Sequence, residues 1–185
     1  MEMVPLSSLW LPIVGSALVV FVASAIAWMV LPHHRSDWSK LPDEESARTA
    51  LSGVPPGEYT IPHAATSADW KSDTWKEKAK AGPNAFLSVI PSGLPNMGKS
   101  LTQWLIYCLA VSTFVAYVSG RTLAAGTDYL MVFRIAGTVA FLAYSSAHVS
   151  GAIWMGHGWG RTIKDVIDGL VYGLLTGGMF GWLWP

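Results

Sequence analysis

One stretch of the chain, residues 9–31, most constrains the fold, because it holds 23 consecutive residues without a charged side chain. A helix needs about 20 apolar residues to cross the hydrocarbon core of a bilayer. The preceding letters, MEMVPLSS, lack the Lys or Arg of a secretory signal peptide. Only 13% of the chain is charged, against about 25% in soluble domains. We therefore predict an integral membrane protein in which residues 1–31 form an outward N-terminus and a retained transmembrane helix.

Three further apolar segments follow, at about residues 101–120, 129–150 and 167–184. The last is short, because residues 169–184 rise only ~24 Å as a helix, against a hydrocarbon core of ~30 Å. The first turn of this last helix would lie at the headgroup level and complete the crossing. Residues 100–185 are thus the predicted transmembrane helices 2–4. The predicted fold class is mainly α: an integral membrane four-helix bundle with a small mixed cytoplasmic segment between helices 1 and 2.

Lys and Arg residues predict the orientation, because they accumulate in the cytoplasmic loops of membrane proteins. Ten of them lie between spans one and two or between spans three and four, whereas Arg121 stands alone in the other loop. We therefore predict a bacterial inner-membrane protein with the long loop in the cytoplasm. Both termini are expected on the periplasmic side.

The long connection, residues 32–99, predicts a small cytoplasmic segment with short helices and strands. The letters LPDEESARTALSG indicate a helix with Asp43 as its N-cap, and SADWKSDTWKEKAKAG indicates a second helix. Two short extended pieces, in PPGEYTIPH and NAFLSVIP, each end at a proline or shortly before one. These few elements bury too small a core for the segment to be stable alone. We therefore expect it to rest on the membrane face or on another subunit.

Four motifs together resemble an uncharacterised family of small bacterial multi-pass inner-membrane proteins. They are MVLPHHRSDWSKLPDE, PPGEYTIPH, GPNAFLSVIPSG and IDGLVYGLLTGGMFGWLWP. The resemblance covers the whole chain, and it implies an architecture of spans with an inserted segment. It implies no activity, because the function of that family is unknown.

The final apolar segment carries a glycine at every fourth position. Such spacing lines one groove of a helix and lets another surface approach the backbone closely. The partner is left open between a neighbouring helix of the chain, a helix of another subunit, and a flat cofactor or lipid tail. The predicted helix-packing residues are Gly169, Gly173, Gly177 and Gly181.

The third span carries a polar stripe, because Arg134, Thr138, Ser145 and His148 project to one side of a helix. Ionisable groups inside a membrane mark functional sites by default. We expect the stripe to face other helices, with Asp128 as a mate for Arg134, and proton or ion transfer is the alternative. A haem with His148 as its only protein ligand also stays open.

A second group of ionisable residues, His33, His34, His63 and Asp37, lies in the cytoplasmic segment. Two imidazoles and a carboxylate suit a transition-metal ion, with His63 or water completing the shell. Adjacent histidines do not converge easily on one ion from a helix. The alternative places the letters PHHRSDW at the headgroup level, where imidazole and guanidinium groups contact lipid phosphates.

No catalytic motif is assembled in the sequence, so a non-enzymatic role is favoured. Twelve basic and twelve acidic residues leave no basic face for nucleic acid, and the lone Cys108 allows no disulfide framework. We predict a non-catalytic accessory or structural subunit of a larger membrane complex, contacting lipid, other subunits or its own copies. No cofactor is predicted. The alternatives are a cofactor- or metal-binding membrane protein, using His148 with Arg134 or the three cytoplasmic-segment histidines, and a small transporter.

Overall fold

The computed structural model describes residues 3–185, and these are mainly helical, at 69%. The chain forms two compact units, one of residues 39–95 and the other of the flanking sequence on both sides. In chain order the elements are α1 Trp10–Ala25, α2 Glu44–Ala50, β1 Gly57–Ile61, α3 Ser67–Lys71, α4 Asp73–Ala81, β2 Ala85–Val89, α5 Met97–Thr122, α6 Tyr129–Met155 and α7 Trp159–Trp182. The unit boundaries fall at 38/39 and 95/96, inside the predicted segment 32–99.

Three helices are long and apolar enough to cross a membrane, which suggests a membrane protein. They are Leu6–Val30, in which short 3₁₀ and π turns extend α1, together with α5 and α6. The fourth predicted span lies in α7, which has 24 residues. Four charged side chains in its first half make α7 less apolar than the other three, so its crossing stays a prediction. They are Arg161, Lys164, Asp165 and Asp168.

Helices α5 and α6 extend beyond the apolar segments from which they were predicted, since α5 begins at Met97 and α6 ends at Met155. The side chain of Asn96 accepts from the backbone N–H of Lys99 at 3.0 Å, so α5 begins at Met97. Asp128 caps α6 in the same way, accepting from Met131 N–H at 3.2 Å. Gly156, with φ of 69°, ends α6 in the left-handed conformation that glycine adopts without strain. Hydropathy alone misses the first turn of α5, because its letters MGKS are polar.

The long helices of the first unit pack around a shared interior. Helix α1 contacts α5 and α7, and α6 contacts the same two helices, its contact with α7 being the most extensive. Aliphatic and aromatic side chains fill the centre, and a buried serine pair adds a polar link in which Ser16 donates to Ser112 Oγ at 3.0 Å. The fully buried apolar residues include Ala17, Val20, Val115, Val132, Ala136 and Phe180.

The four regularly spaced glycines of α7 lie against α6 of the same chain. A Cβ added to Gly177 would lie 2.7 Å from the carbonyl oxygen of Phe133 and 3.1 Å from the Cα of Gly137. One added to Gly173 would lie 2.9 Å from the Cβ of Phe141. Additions at the outer two glycines would meet the side chains of Ser145 and Tyr129, respectively; these glycines are Gly169 and Gly181. The groove is therefore filled from within the chain.

The unit Ser39–Pro95 contains the short helices α2, α3 and α4 and a two-stranded sheet of β1 and β2. The strands pair antiparallel, from Gly57 opposite Val89 to Ile61 opposite Ala85. Asp43 caps α2 by accepting from Ser46 N–H at 3.0 Å, where the sequence predicts an N-cap. None of residues 39–95 is buried. This unit therefore has no core of fully covered side chains.

Candidate functional site: a histidine–aspartate cluster

A cluster of ionisable side chains lies where the chain leaves the first long helix. After the turn that ends at Val30, the chain forms a short 3₁₀ turn, His33–Ser36. This tight turn sets the rings of His33 and His34 side by side, with centroids 4.1 Å apart. The turn packs against α7. We call the group the His–Asp cluster; its members are His33, His34, Asp37, Lys164 and Asp168.

His34 is the centre of the cluster and is only 6% exposed. Its Nδ1 lies 2.5 Å from Asp37 Oδ2, and its Nε2 lies 2.9 Å from Asp168 Oδ2. The ring of Trp28 stacks on it at 3.9 Å, with 9° between the planes. Both ring nitrogens and one ring face are therefore fixed, so this imidazole has a single orientation.

His33 supplies a second nitrogen at the same carboxylate. Its Nε2 lies 3.2 Å from Asp168 Oδ1, and its side chain is 32% exposed. One donor atom from each of His33, His34 and Asp168 lies within 4.8 Å of the other two. These three atoms can surround one metal ion, and the exposed flank of His33 gives solvent access to it.

Asp37 and Lys164 form the outer part of the cluster. Lys164 Nζ donates to Asp37 Oδ1 at 2.6 Å and to Ser36 Oγ at 2.8 Å. The carboxylate of Asp37 is only 1% exposed. Hydrogen bonds from Lys164, and then from His34, lower the pKa of Asp37 below its ordinary value. Asp37 is therefore a buried, ionised group that orients His34 and joins its turn to α7.

The pKa of His34 is raised. Burial opposes protonation of this ring, but the hydrogen bonds and charges of Asp168 and Asp37 outweigh burial. When His34 is protonated in the metal-free protein, its two charge-assisted hydrogen bonds to carboxylates hold the end of the first helix against α7.

We expect the stability of the metal-free protein to fall as the pH rises above about 6.5. A histidine whose pKa is higher in the folded state contributes its full stabilisation below the unfolded pKa, about 6.5, and loses it as the pH passes the folded pKa. The measurement is the melting temperature in detergent with chelator, from pH 5 to 9. The His34→Gln variant should melt lower and lose this alkaline slope. An unchanged slope in that variant would contradict the assignment.

A second, smaller ion-pair group links α6 to α7. The buried carboxylate of Asp165 lies 3.3 Å from Nδ1 of His148 and 3.7 Å from Nε of Arg161. The guanidinium of Arg161 also lies 4.6 Å from the ring centroid of Trp38. His148, predicted as part of an intramembrane stripe, is thus paired with an acidic residue of α7.

The other residues of the predicted stripe do not share one environment. Arg134 and Thr138 are exposed on α6, whereas Ser145 is buried against α7. Within the described part of this chain no helix covers Arg134 and Thr138, so for these two residues the expectation that the stripe faces other helices stays a prediction. Asp128 caps α6, and among residues 3–185 Arg134 has no ion-pair partner.

The predicted metal set is brought together only in part. His33 and His34 meet at one carboxylate, but that carboxylate belongs to Asp168. Asp37 binds His34 and Lys164 with its two oxygens, so it is not the ligand expected from the sequence. His63 belongs to the other unit, where its Nδ1 lies 3.2 Å from Thr60 Oγ1.

Sequence reasoning missed Asp168 and Lys164. The available signal was the presence of two carboxylates and a lysine in the first half of an otherwise apolar terminal helix, at Lys164, Asp165 and Asp168. If this helix crosses a membrane, such charges need partners. Which partners they have depends on the rotation of α7 against the first helix.

Comparison of the chain with protein-family models, with curated proteins and with solved structures finds no match. The resemblance to an uncharacterised membrane-protein family stays a prediction.

Proposed function

We propose that this chain is a multi-pass membrane protein that binds one divalent transition-metal ion at His33, His34 and Asp168. The observation that carries the proposal is the convergence of two imidazole nitrogens and one carboxylate oxygen within 4.8 Å. Zinc binds such atoms at about 2.0–2.2 Å, so three donors around one ion stand close to one another, as these do. The same donor types also suit iron, so the class proposed is a divalent first-row ion.

The surroundings of the three donors support a metal site. A ligand histidine usually donates its second N–H to a carboxylate, which fixes the tautomer and raises the basicity of the ligand nitrogen. Asp37 stands in that position behind His34, and Lys164 in turn fixes Asp37. Trp28 prevents rotation of the ring. A proton on His34 Nε2 and a bound metal ion exclude each other, because both would occupy the lone pair of that nitrogen.

The donor count favours an ion with an open coordination position. Structural zinc sites are closed by four protein ligands, whereas reactive sites keep three protein ligands and a water or substrate. The three donors lie beside the partly exposed ring of His33. An ion held here would therefore be accessible to solvent or to a small ligand.

The proposed placement of the site follows from helix lengths and charges. Three helices are apolar enough to span, and α7 is proposed as the fourth crossing, giving a four-helix bundle. From the distribution of Lys and Arg we propose that the His–Asp cluster lies at the cytoplasmic face of a bacterial inner membrane, with both termini in the periplasm. The mixed segment 39–95 would then also be cytoplasmic.

Metal titration tests the proposal directly. Isothermal titration of detergent-purified, chelator-treated protein with Zn²⁺ should give one site. The Asp168→Asn variant should bind at least about 100-fold more weakly, since changing even a residue behind a ligand costs 10–100-fold. Asp165→Asn and His63→Ala are matched controls outside the donor set and should bind as the unaltered protein does. Equal affinity for the unaltered protein and Asp168→Asn would overturn the proposal, as would the absence of a binding site.

A role as an accessory subunit is the second candidate, favoured by the unit Ser39–Pro95. This unit has no buried residue, and it exposes large apolar side chains such as Trp70, Phe86 and Ile90. Because α6 fills the glycine groove, the exposed apolar side chains of this unit are the remaining argument for a partner subunit. Native mass spectrometry after gentle extraction should show an additional protein subunit. A monomer without any co-purifying protein would exclude this role.

A further inference from the structure

A surface groove between α6 and α7 combines an apolar wall with one unpaired cation. Its volume is about 200 Å³. Phe133 and Phe141 line it from α6, and Leu170 and Leu174 from α7, while Arg134 stands at its edge. We propose that this groove binds one anionic phospholipid, with the phosphate on Arg134 and part of an acyl chain along the apolar wall.

The shape of the groove follows from the glycines. Gly137 and Gly173 are part of its lining, and neither has a side chain that would project into it. The two backbones are in contact there, since a Cβ on Gly137 would lie 3.2 Å from the carbonyl oxygen of Gly173. The groove is therefore a fixed feature of the helix pair.

The polarity of the groove matches a lipid in orientation. Arg134 is the sixth residue of α6, so it lies about 7.5 Å along the helix from Tyr129. The long arginine side chain can reach from there toward the headgroup level. Phe141 and Leu170 lie farther toward the middle of the proposed membrane. A charged headgroup would thus lie beside Arg134, and the acyl chain would lie along the apolar side chains toward the middle of the membrane.

Charge complementarity argues for an anion. An arginine within a membrane span requires a counter-charge or access to water. No carboxylate among residues 3–185 pairs with Arg134, and Asp128 is engaged at the helix cap. Guanidinium groups bind phosphate through two parallel hydrogen bonds. Thr138, one turn along the same face, adds an exposed hydroxyl group.

This inference rests on the proposed membrane insertion and is independent of the metal site. Its test is native mass spectrometry of the purified full chain, titrated with phosphatidylglycerol or with phosphatidylcholine of the same acyl chains. One phosphatidylglycerol should be retained preferentially. The Arg134→Gln variant should retain it roughly tenfold less, the effect of losing a charge-assisted hydrogen-bond pair. Arg121→Gln, at an exposed arginine near the same end of the bundle, should retain it fully.

A second pair of variants tests the apolar wall. Thr138→Trp fills the groove and should also reduce retention of phosphatidylglycerol. Leu142→Trp is its control, because it adds a tryptophan on α6 outside the lining and should leave retention unchanged. Equal retention of the two lipids would overturn the proposal, and so would equal retention by Arg134→Gln and Arg121→Gln. A pigment or a second copy of the chain occupying the groove would also overturn it. Zinc affinity should be unchanged in all four variants, so failure here is distinct from failure of the metal site.

Discussion

Replacing Gly177 with leucine is expected to separate α6 from α7 and to destabilise the folded protein by about 3 kcal/mol. The added Cβ would lie 2.7 Å from the carbonyl oxygen of Phe133 and 3.1 Å from the Cα of Gly137. Both are backbone atoms, so no flexible side chain can move aside. The remaining leucine atoms need still more room in the most extensive helix contact of the chain.

The neighbouring glycine provides the matched control. A Cβ on Gly178 would meet only the hydroxyl oxygen of Tyr129, at 3.6 Å, an ordinary contact. Gly178→Leu should therefore change stability by less than about 1 kcal/mol, and better helix propensity works in its favour. Thermal unfolding in detergent, followed by circular dichroism, measures both variants. Equal melting temperatures for the two would show that the close backbone contact contributes nothing specific.

The second large effect is expected at Lys164. Its replacement by methionine keeps an unbranched side chain but removes the cation that donates to Asp37 at 2.6 Å. Asp37 is buried, and removing one partner of a buried ion pair typically costs 3–5 kcal/mol. His34 still pairs with this carboxylate, so we expect a loss near the lower limit, about 3 kcal/mol. The same unfolding measurement applies.

Lys99→Met is the control for the loss of a lysine in the same unit. Lys99 is exposed on α5, and no carboxylate depends on it among residues 3–185. Its replacement should change stability by less than about 0.5 kcal/mol. If Lys164→Met were equally mild, the link between the His33–Ser36 turn and α7 would not require this ion pair. A double variant with Asp37→Asn should recover part of the loss, because the uncompensated charge is removed.

For the glycine groove of α7, local spacing predicts that a neighbour packs closely, and tertiary packing decides which neighbour it is. Glycine at every fourth position predicts a close neighbour, because the spacing places all four glycines along one shallow groove of a helix. The identity of the neighbour required the structure, since several segments of the chain offered small residues. Only the rotation and depth of α6 bring Gly137 opposite Gly173 and Gly177.

The His–Asp cluster was likewise predictable from the sequence only in part. The adjacent letters HHRSD predict a local group of imidazoles and a carboxylate, and Asp37 lies three residues from its partner His34. The third donor, Asp168, lies 134 residues farther along the chain than His34. A pattern read along a helix gives no distance to another helix, so His63 was grouped with the cluster and Asp168 was not.

The amino-acid sequence by itself determined the apolar character of three long helices and the glycine face of α7. These properties depend on neighbours within a few turns of one helix, where geometry is fixed by the backbone. The tertiary structure alone decided that Asp168 and Lys164 meet the turn after the first helix and that Arg134 faces outward beside a groove. Those positions depend on how whole helices rotate and slide against one another, and that is set by packing over the entire interior.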